Sequence, residues 1–203
     1  AYEVVNFGVN GYGTINSLIQ LREALQEAKP AIVVLAYARF HDERNTFLRF
    51  WRKRVAPAPG FGTTLYPYAR LDNQGNLAFR TVPNEYTEFP LMRYSALMNY
   101  LETRWNILEQ KFSRSQEVSQ KLVLEMAELS RRHGARFVLA MLVPDEEMQA
   151  FAREHKIALV DISVPMDEEK YTNLPHDIHP GPLTTTIYAD RLAAFIRDKQ
   201  QLP

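Results

Sequence analysis

Cysteine is absent from the 203 residues. That excludes disulfides, a thiolate nucleophile and any Cys-ligated metal centre. The redox compartment stays open, because a cysteine-free chain suits either. Net charge is absent too: 24 basic residues balance 24 acidic ones. No basic stripe stands out, which argues against nucleic acid as the partner. No apolar run approaches the roughly 18 residues of a membrane span. Glycine is scarce, with eight in the chain, yet Gly8, Gly11 and Gly13 crowd into one six-residue stretch. The length suits one domain with a sizeable core.

What is present alternates between strand and helix patterns. Glu3 to Phe7 reads as a short buried strand, broken by the loop Gly8 to Gly13. Thr14 is placed to cap a helix over Ile15 to Ala28, where Leu18, Leu21, Ala24 and Leu25 keep helical spacing. Lys29-Pro30 ends it. Ala31 to Ala36 (AIVVLA) is a continuous apolar run, as in a parallel strand buried on both faces. Together these form one βαβ unit.

From about residue 46 to 95 the composition changes to aromatics and prolines, including Phe47, Trp51, Phe61, Tyr66, Tyr68 and Tyr86. Two alternating segments, Leu65 to Leu71 and Leu77 to Val82, flank Asn73-Gln74-Gly75-Asn76 and predict a hairpin. This region reads as an insertion. Helices follow over Met92 to Leu108 and Gln116 to Arg132, with a stop at His133-Gly134. Arg136 to Val143 and Ile157 to Asp161 read as strands, with a helix from Pro144 to about His155 between them and a last helix over Pro182 to Lys199. The alternation predicts a three-layer α/β/α domain, flavodoxin-like, with a mainly parallel sheet.

In such a fold ligands sit beyond the C-terminal ends of the strands. Three marked segments follow strands directly. The loop Gly8 to Gly13 can be a phosphate cradle, a tight loop offering backbone N–H groups to an anionic oxygen, or a plain strand–helix turn; it lacks the Gly-x-Gly-x-x-Gly spacing and the P-loop lysine. Arg39 to Asn45 is either a solvated charge run or a source of hydrogen-bond donors, His41 foremost. The third, Ser163 to His179, ends in Asp177-Ile178-His179-Pro180-Gly181, where a carboxylate close to a histidine can fix the imidazole tautomer and stabilise its protonated form. A metal site from His41, Asp42, His176, Asp177 and His179 has suitable ligand types, but no His-x-x-x-His pair on a helix supports it. His133 and His155 lie near helix ends and read as surface residues.

Taken in order, these blocks resemble the SGNH (GDSL-type) hydrolase family. Asn6-Phe7-Gly8-Val9-Asn10-Gly11-Tyr12-Gly13-Thr14 resembles the family's second motif, and the match makes Gly11 an oxyanion-hole N–H donor. Val33-Val34-Leu35 leading to Phe40-His41-Asp42 resembles the third, with His41 where the family has its oxyanion-hole asparagine. Asp177-Ile178-His179-Pro180 resembles the last, with the catalytic Asp and His one residue closer together than usual; His176 stands three before His179. The first motif, Gly-Asp-Ser with the nucleophile, is absent, and none of the seven serines from Ser17 to Ser163 has that context. Without the strand that carries it, the neighbouring strands would lack partners, so the expectation is an upstream strand and serine before Ala1.

The resemblance implies a serine esterase or acyl hydrolase that needs no metal and no cofactor, with Asn10, Asp42, Arg44 and Trp51 as substrate contacts. The tyrosines and tryptophan of the insertion suit stacking on a sugar, so the expected substrate is a small-molecule, lipid or acetylated-carbohydrate ester; the same residues equally suit a private core of the insertion. Competing readings are an acyltransferase on the same fold, a binding module without the nucleophile, and a flavodoxin-like nucleotide binder.

Overall fold

The computed structural model describes residues 3–56 and 62–198. Among them lie seven α-helices and a three-stranded parallel sheet, a mixed α/β architecture. The chain groups into two compact units, Ala1–Gln20 with Phe40–Val123, and Leu21–Arg39 with Leu124–Pro203. Phe61, counted among the insertion's aromatics, lies outside the described residues.

Helix α1 (Thr14–Glu27) runs from the first unit into the second. Thr14 begins the helix rather than capping it, and its hydroxyl is buried with no hydrogen-bond partner among the described residues. The start is secured instead by two asparagines: Asn16 Oδ1 accepts from the Gly13 N–H at 3.1 Å, and Asn45 Oδ1 from the Ile15 N–H at 3.0 Å. Side-chain amides thus satisfy helix donors that have no partner within the helix. Lys29 takes a positive φ of 42° before Pro30, which ends the helix.

In the second unit, β1 (Ile32–Tyr37) pairs in parallel with β4 (Arg136–Met141), and β4 with β5 (Ala158–Asp161). The order β1-β4-β5 leaves one edge of β1 without a ladder among the described residues. Central β4 is buried on both faces from Phe137 to Met141. Strand β1 is not: Val34 and Ala36 are exposed while Leu35 and Tyr37 are buried. Its apolar run therefore covers only one face, a correction to the two-sided burial expected of AIVVLA. Helix α7 (Pro182–Arg197) covers one side of the sheet, with Tyr188, Leu192 and Phe195 packed against Val138, Ala140, Ala158, Val160 and Ile162. Helix α6 (Glu146–Glu154) is capped by Asp145, whose carboxylate accepts from the Met148 N–H.

The Glu3 to Phe7 segment does not form the expected strand. It is coil, with Val4 85% exposed. A strand needs a ladder partner for its N–H and C=O groups, and no described strand pairs with this segment.

In the first unit, β2 (Leu65–Leu71) and β3 (Leu77–Pro83) form the expected antiparallel hairpin in the register Leu71↔Leu77. Its turn is held by Asp72, whose carboxylate accepts from the N–H groups of Gln74 and Asn76 at 2.8 Å each, while Gly75 supplies φ 82°. Those bonds hold the Asp72 carboxyl below its ordinary range. Helices α2 (His41–Asn45) and α3 (Arg49–Val55) precede the hairpin. Phe47, Trp51 and Tyr68 are buried together, with Tyr66 and Val82 against them, and Phe47 stacks on Tyr66 at 4.2 Å. The aromatics of this region thus do build a local core.

Helix α4 (Ala96–Phe112) is anchored by charge rather than by apolar side chains. Its one buried residue, Glu102, accepts from Arg49 Nε at 3.1 Å, from Lys53 Nζ at 2.7 Å and from the Tyr86 hydroxyl. Leu97, Leu101, Trp105, Leu108 and Phe112 are exposed. Helix α5 (Ser115–Arg132) spans the boundary between the units.

Candidate functional site

The glycine loop is shaped by what approaches it. Gly11 sits at φ 82°, in the left-handed region that glycine enters without steric cost. The turn is closed by the Tyr12 N–H donating to the Val9 carbonyl at 3.2 Å. Gly13 is required by crowding: a Cβ there would lie 2.6 Å from Asn45 Oδ1 and 2.9 Å from Arg44 Cβ. Asn45, fully buried, also donates from Nδ2 to the Ser119 hydroxyl at 2.8 Å. One side chain thus ties the start of α1 to α2 and α5.

Residues His41 to Asn45, read either as a charge run or as donors on a loop, form the short helix α2 with Asp42 and Asn45 buried. His41 is half-buried against Phe40, edge to face at 4.8 Å. Burial and, secondarily, the Arg44 charge push its pKa down to about 3. The imidazole is therefore neutral at pH 7 and carries one N–H. A neutral donor can still hydrogen-bond an oxyanion, as the asparagine of the resembling motif would.

Arg44 lies within this cluster. Its guanidinium rests 4.6 Å from the ring centroids of both Phe40 and Trp51, and Nη1 donates to the Tyr12 carbonyl at 2.7 Å. Trp51 is buried, donates from Nε1 to the Tyr66 hydroxyl at 2.8 Å, and lies beside Gly11, where a Cβ would stand 3.9 Å from Cζ2. Asn10 is exposed at the mouth of the turn. Gly11, His41, Arg44 and Trp51 are thus neighbours along α2, α3 and the loop.

Asp177 and His179 belong to the second unit. They lie not on an open loop but on β7 (Asp177–Pro180), paired with β6 (Thr172–Asn173) in a short antiparallel ribbon. Asp177 Oδ1 accepts from the His179 N–H at 2.8 Å and lies 3.3 Å from His179 Nδ1; Asn173 Nδ2 reaches Oδ2 at 3.4 Å. The backbone bond from His179 is the largest of the influences that hold the Asp177 carboxyl below its ordinary range. The one-residue spacing makes this possible: a carboxylate can bond the N–H two residues on and still reach that residue's ring. The pair is open, with the His179 side chain 75% exposed. Gly181 then passes so close to Thr172 that a Cβ would meet its carbonyl at 2.6 Å, and α7 begins with Pro182 at its first position.

No serine hydroxyl bonds His179 among the described residues. Ser17, Ser113, Ser115, Ser119 and Ser130 donate to nearby backbone carbonyls, and Ser95 caps α4. Nor do the described residues group three or more His, Asp or Glu side chains as a metal site. No described helix is long and apolar enough to cross a membrane.

Sequence reasoning missed Asn45 and Glu102. Each is a polar residue in a polar stretch, and nothing in the spacing marks it as buried. Compared with protein-family models, curated proteins and solved structures, the chain has no match.

Proposed function

We propose that the protein is a serine esterase of the SGNH type, with a flavodoxin-like three-layer fold and a nucleophilic serine that lies outside these 203 residues. The observation that carries the reading is the Asp177–His179 pair. Asp177 is held ionised and fixed by a backbone N–H, with its oxygen 3.3 Å from His179 Nδ1. That contact selects the tautomer with the proton on Nδ1, leaving Nε2 as the base. The edge of β1 that has no ladder among the described residues adds support, because a further strand is what such an edge accommodates.

In this reading the serine hydroxyl attacks the ester carbonyl carbon and His179 Nε2 takes its proton. The tetrahedral oxyanion is held by the serine's own N–H and by further N–H donors, each contributing roughly 3 kcal/mol. Collapse breaks the bond to the alcohol oxygen, and the imidazolium returns its proton to that oxygen. Water, activated by His179, then releases the acid. An acceptor alcohol in place of water would make the same site an acyltransferase.

Asp177→Asn tests the pair. In the protein's longest native form, kcat for an aryl acetate falls by roughly 10² or more, with KM and Tm unchanged. An unchanged kcat would remove Asp177 from the mechanism. The second reading, a binding module on the same fold, draws on the serine hydroxyls being engaged in local bonds away from His179; it expects no hydrolysis at all.

A further inference from the structure

The first unit contains a cation prepared for a ligand. Arg44 is half-buried and sandwiched between Phe40 and Trp51, each ring centroid 4.6 Å away. Nη1 is committed to the Tyr12 carbonyl, but Nε is buried with no hydrogen-bond partner among the described residues. A second guanidinium, Arg54, leans on the same indole at 6.0 Å. Neither arginine forms an ion pair with a carboxylate among the described residues, although Glu43 is on the same helix as Arg44. Burial raises the Glu43 carboxyl, while the charges of Arg54 and Arg44 act against that rise.

Two guanidinium groups against one indole, with the single carboxylate of Glu43 near both, leave an excess positive charge that an anion would neutralise. The rings fix the Arg44 plane, and a planar fork held in one orientation suits an oxygen anion better than a mobile cation does. The cluster also borders Gly11, whose turn is where Tyr12 takes the Arg44 bond.

We propose that Arg44, with Arg54 beside it, binds an anionic oxygen group, carboxylate or phosphate, on the protein's ligand.

The test separates binding from catalysis. Trp51 and Trp105 are the two tryptophans of the chain, so in a Trp105→Phe background Trp51 alone reports on the Arg44 clamp. Titration with inorganic phosphate and, separately, with acetate and succinate is expected to change Trp51 emission saturably. Arg44→Gln should weaken the tighter anion by roughly tenfold or more, the scale of one hydrogen bond to a charged group. Arg44→Lys, which keeps the charge and loses the planar fork, should fall in between. Preference for phosphate or for the carboxylates identifies the anion. No saturable change with any of these anions, or equal affinity in wild type and in a folded Arg44→Gln, overturns the proposal. Anion binding without any hydrolysis would leave the Arg44 site standing and sink the esterase reading alone.

Discussion

If the proposed esterase reading holds, His179→Ala is expected to abolish ester hydrolysis: kcat/KM falls by about 10⁴-fold or more, with thermal stability unchanged. The size follows from the residue's two tasks. In the proposed mechanism it takes the proton of the nucleophile and later protonates the leaving alcohol, so alanine removes both steps at once. Stability is spared because the side chain is 75% exposed and its partner Asp177 is itself about half exposed, at 47%. This combination separates a catalytic histidine from a structural one. A loss of activity that tracks a loss of fold would assign His179 to the ribbon's integrity instead. Hydrolysis within tenfold of wild type would exclude it as the base.

The largest expected effect on stability lies elsewhere, at Glu102. Its side chain is 6% exposed and receives Arg49, Lys53 and the Tyr86 hydroxyl. Burial raises this carboxyl, but the hydrogen bonds from Lys53 and Tyr86 and the charges of Lys53 and Arg49 prevail and hold it below its ordinary range. Glu102→Ala leaves the largely buried Arg49 uncompensated, and the expected loss is about 3 kcal/mol. Lys53 contributes less to that figure, since its side chain is 44% exposed. Because the folded carboxyl is the stronger acid, its contribution is fully present above the ordinary glutamate range. It is lost as pH falls through that range toward the lowered folded value. Chemical denaturation between pH 7 and pH 3 should therefore show an acid-side decline that is shallower in Glu102→Gln. Identical pH profiles in the two proteins would contradict the role assigned to the carboxylate.

The elements that read clearly in the sequence are those that carry their own signal. The Leu65 to Leu71 and Leu77 to Val82 alternation, with a turn rich in Asp, Asn and Gly, makes a hairpin wherever it sits. Val138, Ala140, Val160 and the Tyr188–Leu192–Phe195 face of α7 follow periods of two and of three to four. The failures depend on partners that local pattern does not contain. Glu3 to Phe7 has strand composition but no ladder among the described residues. His41 to Asn45 has no apolar period and is helical around two buried polar residues, Asp42 and Asn45. Asp177 to Pro180 is too short and too polar to announce a strand, and its pairing with Thr172–Asn173 accompanies the close passage of Gly181. The Asp177–His179 contact was legible in the one-residue spacing. The Arg44 clamp was not, because the sandwich between Phe40 and Trp51 depends on the packing of α3 beside α2.

The central claim is that His179 activates a serine. The most direct measurement is the intact mass of the protein in its longest native form after treatment with a serine-reactive fluorophosphonate, followed by peptide mapping. The account predicts one adduct, on a serine outside these 203 residues, that disappears in His179→Ala. No adduct, or an adduct on a serine between Ser17 and Ser163, would contradict it.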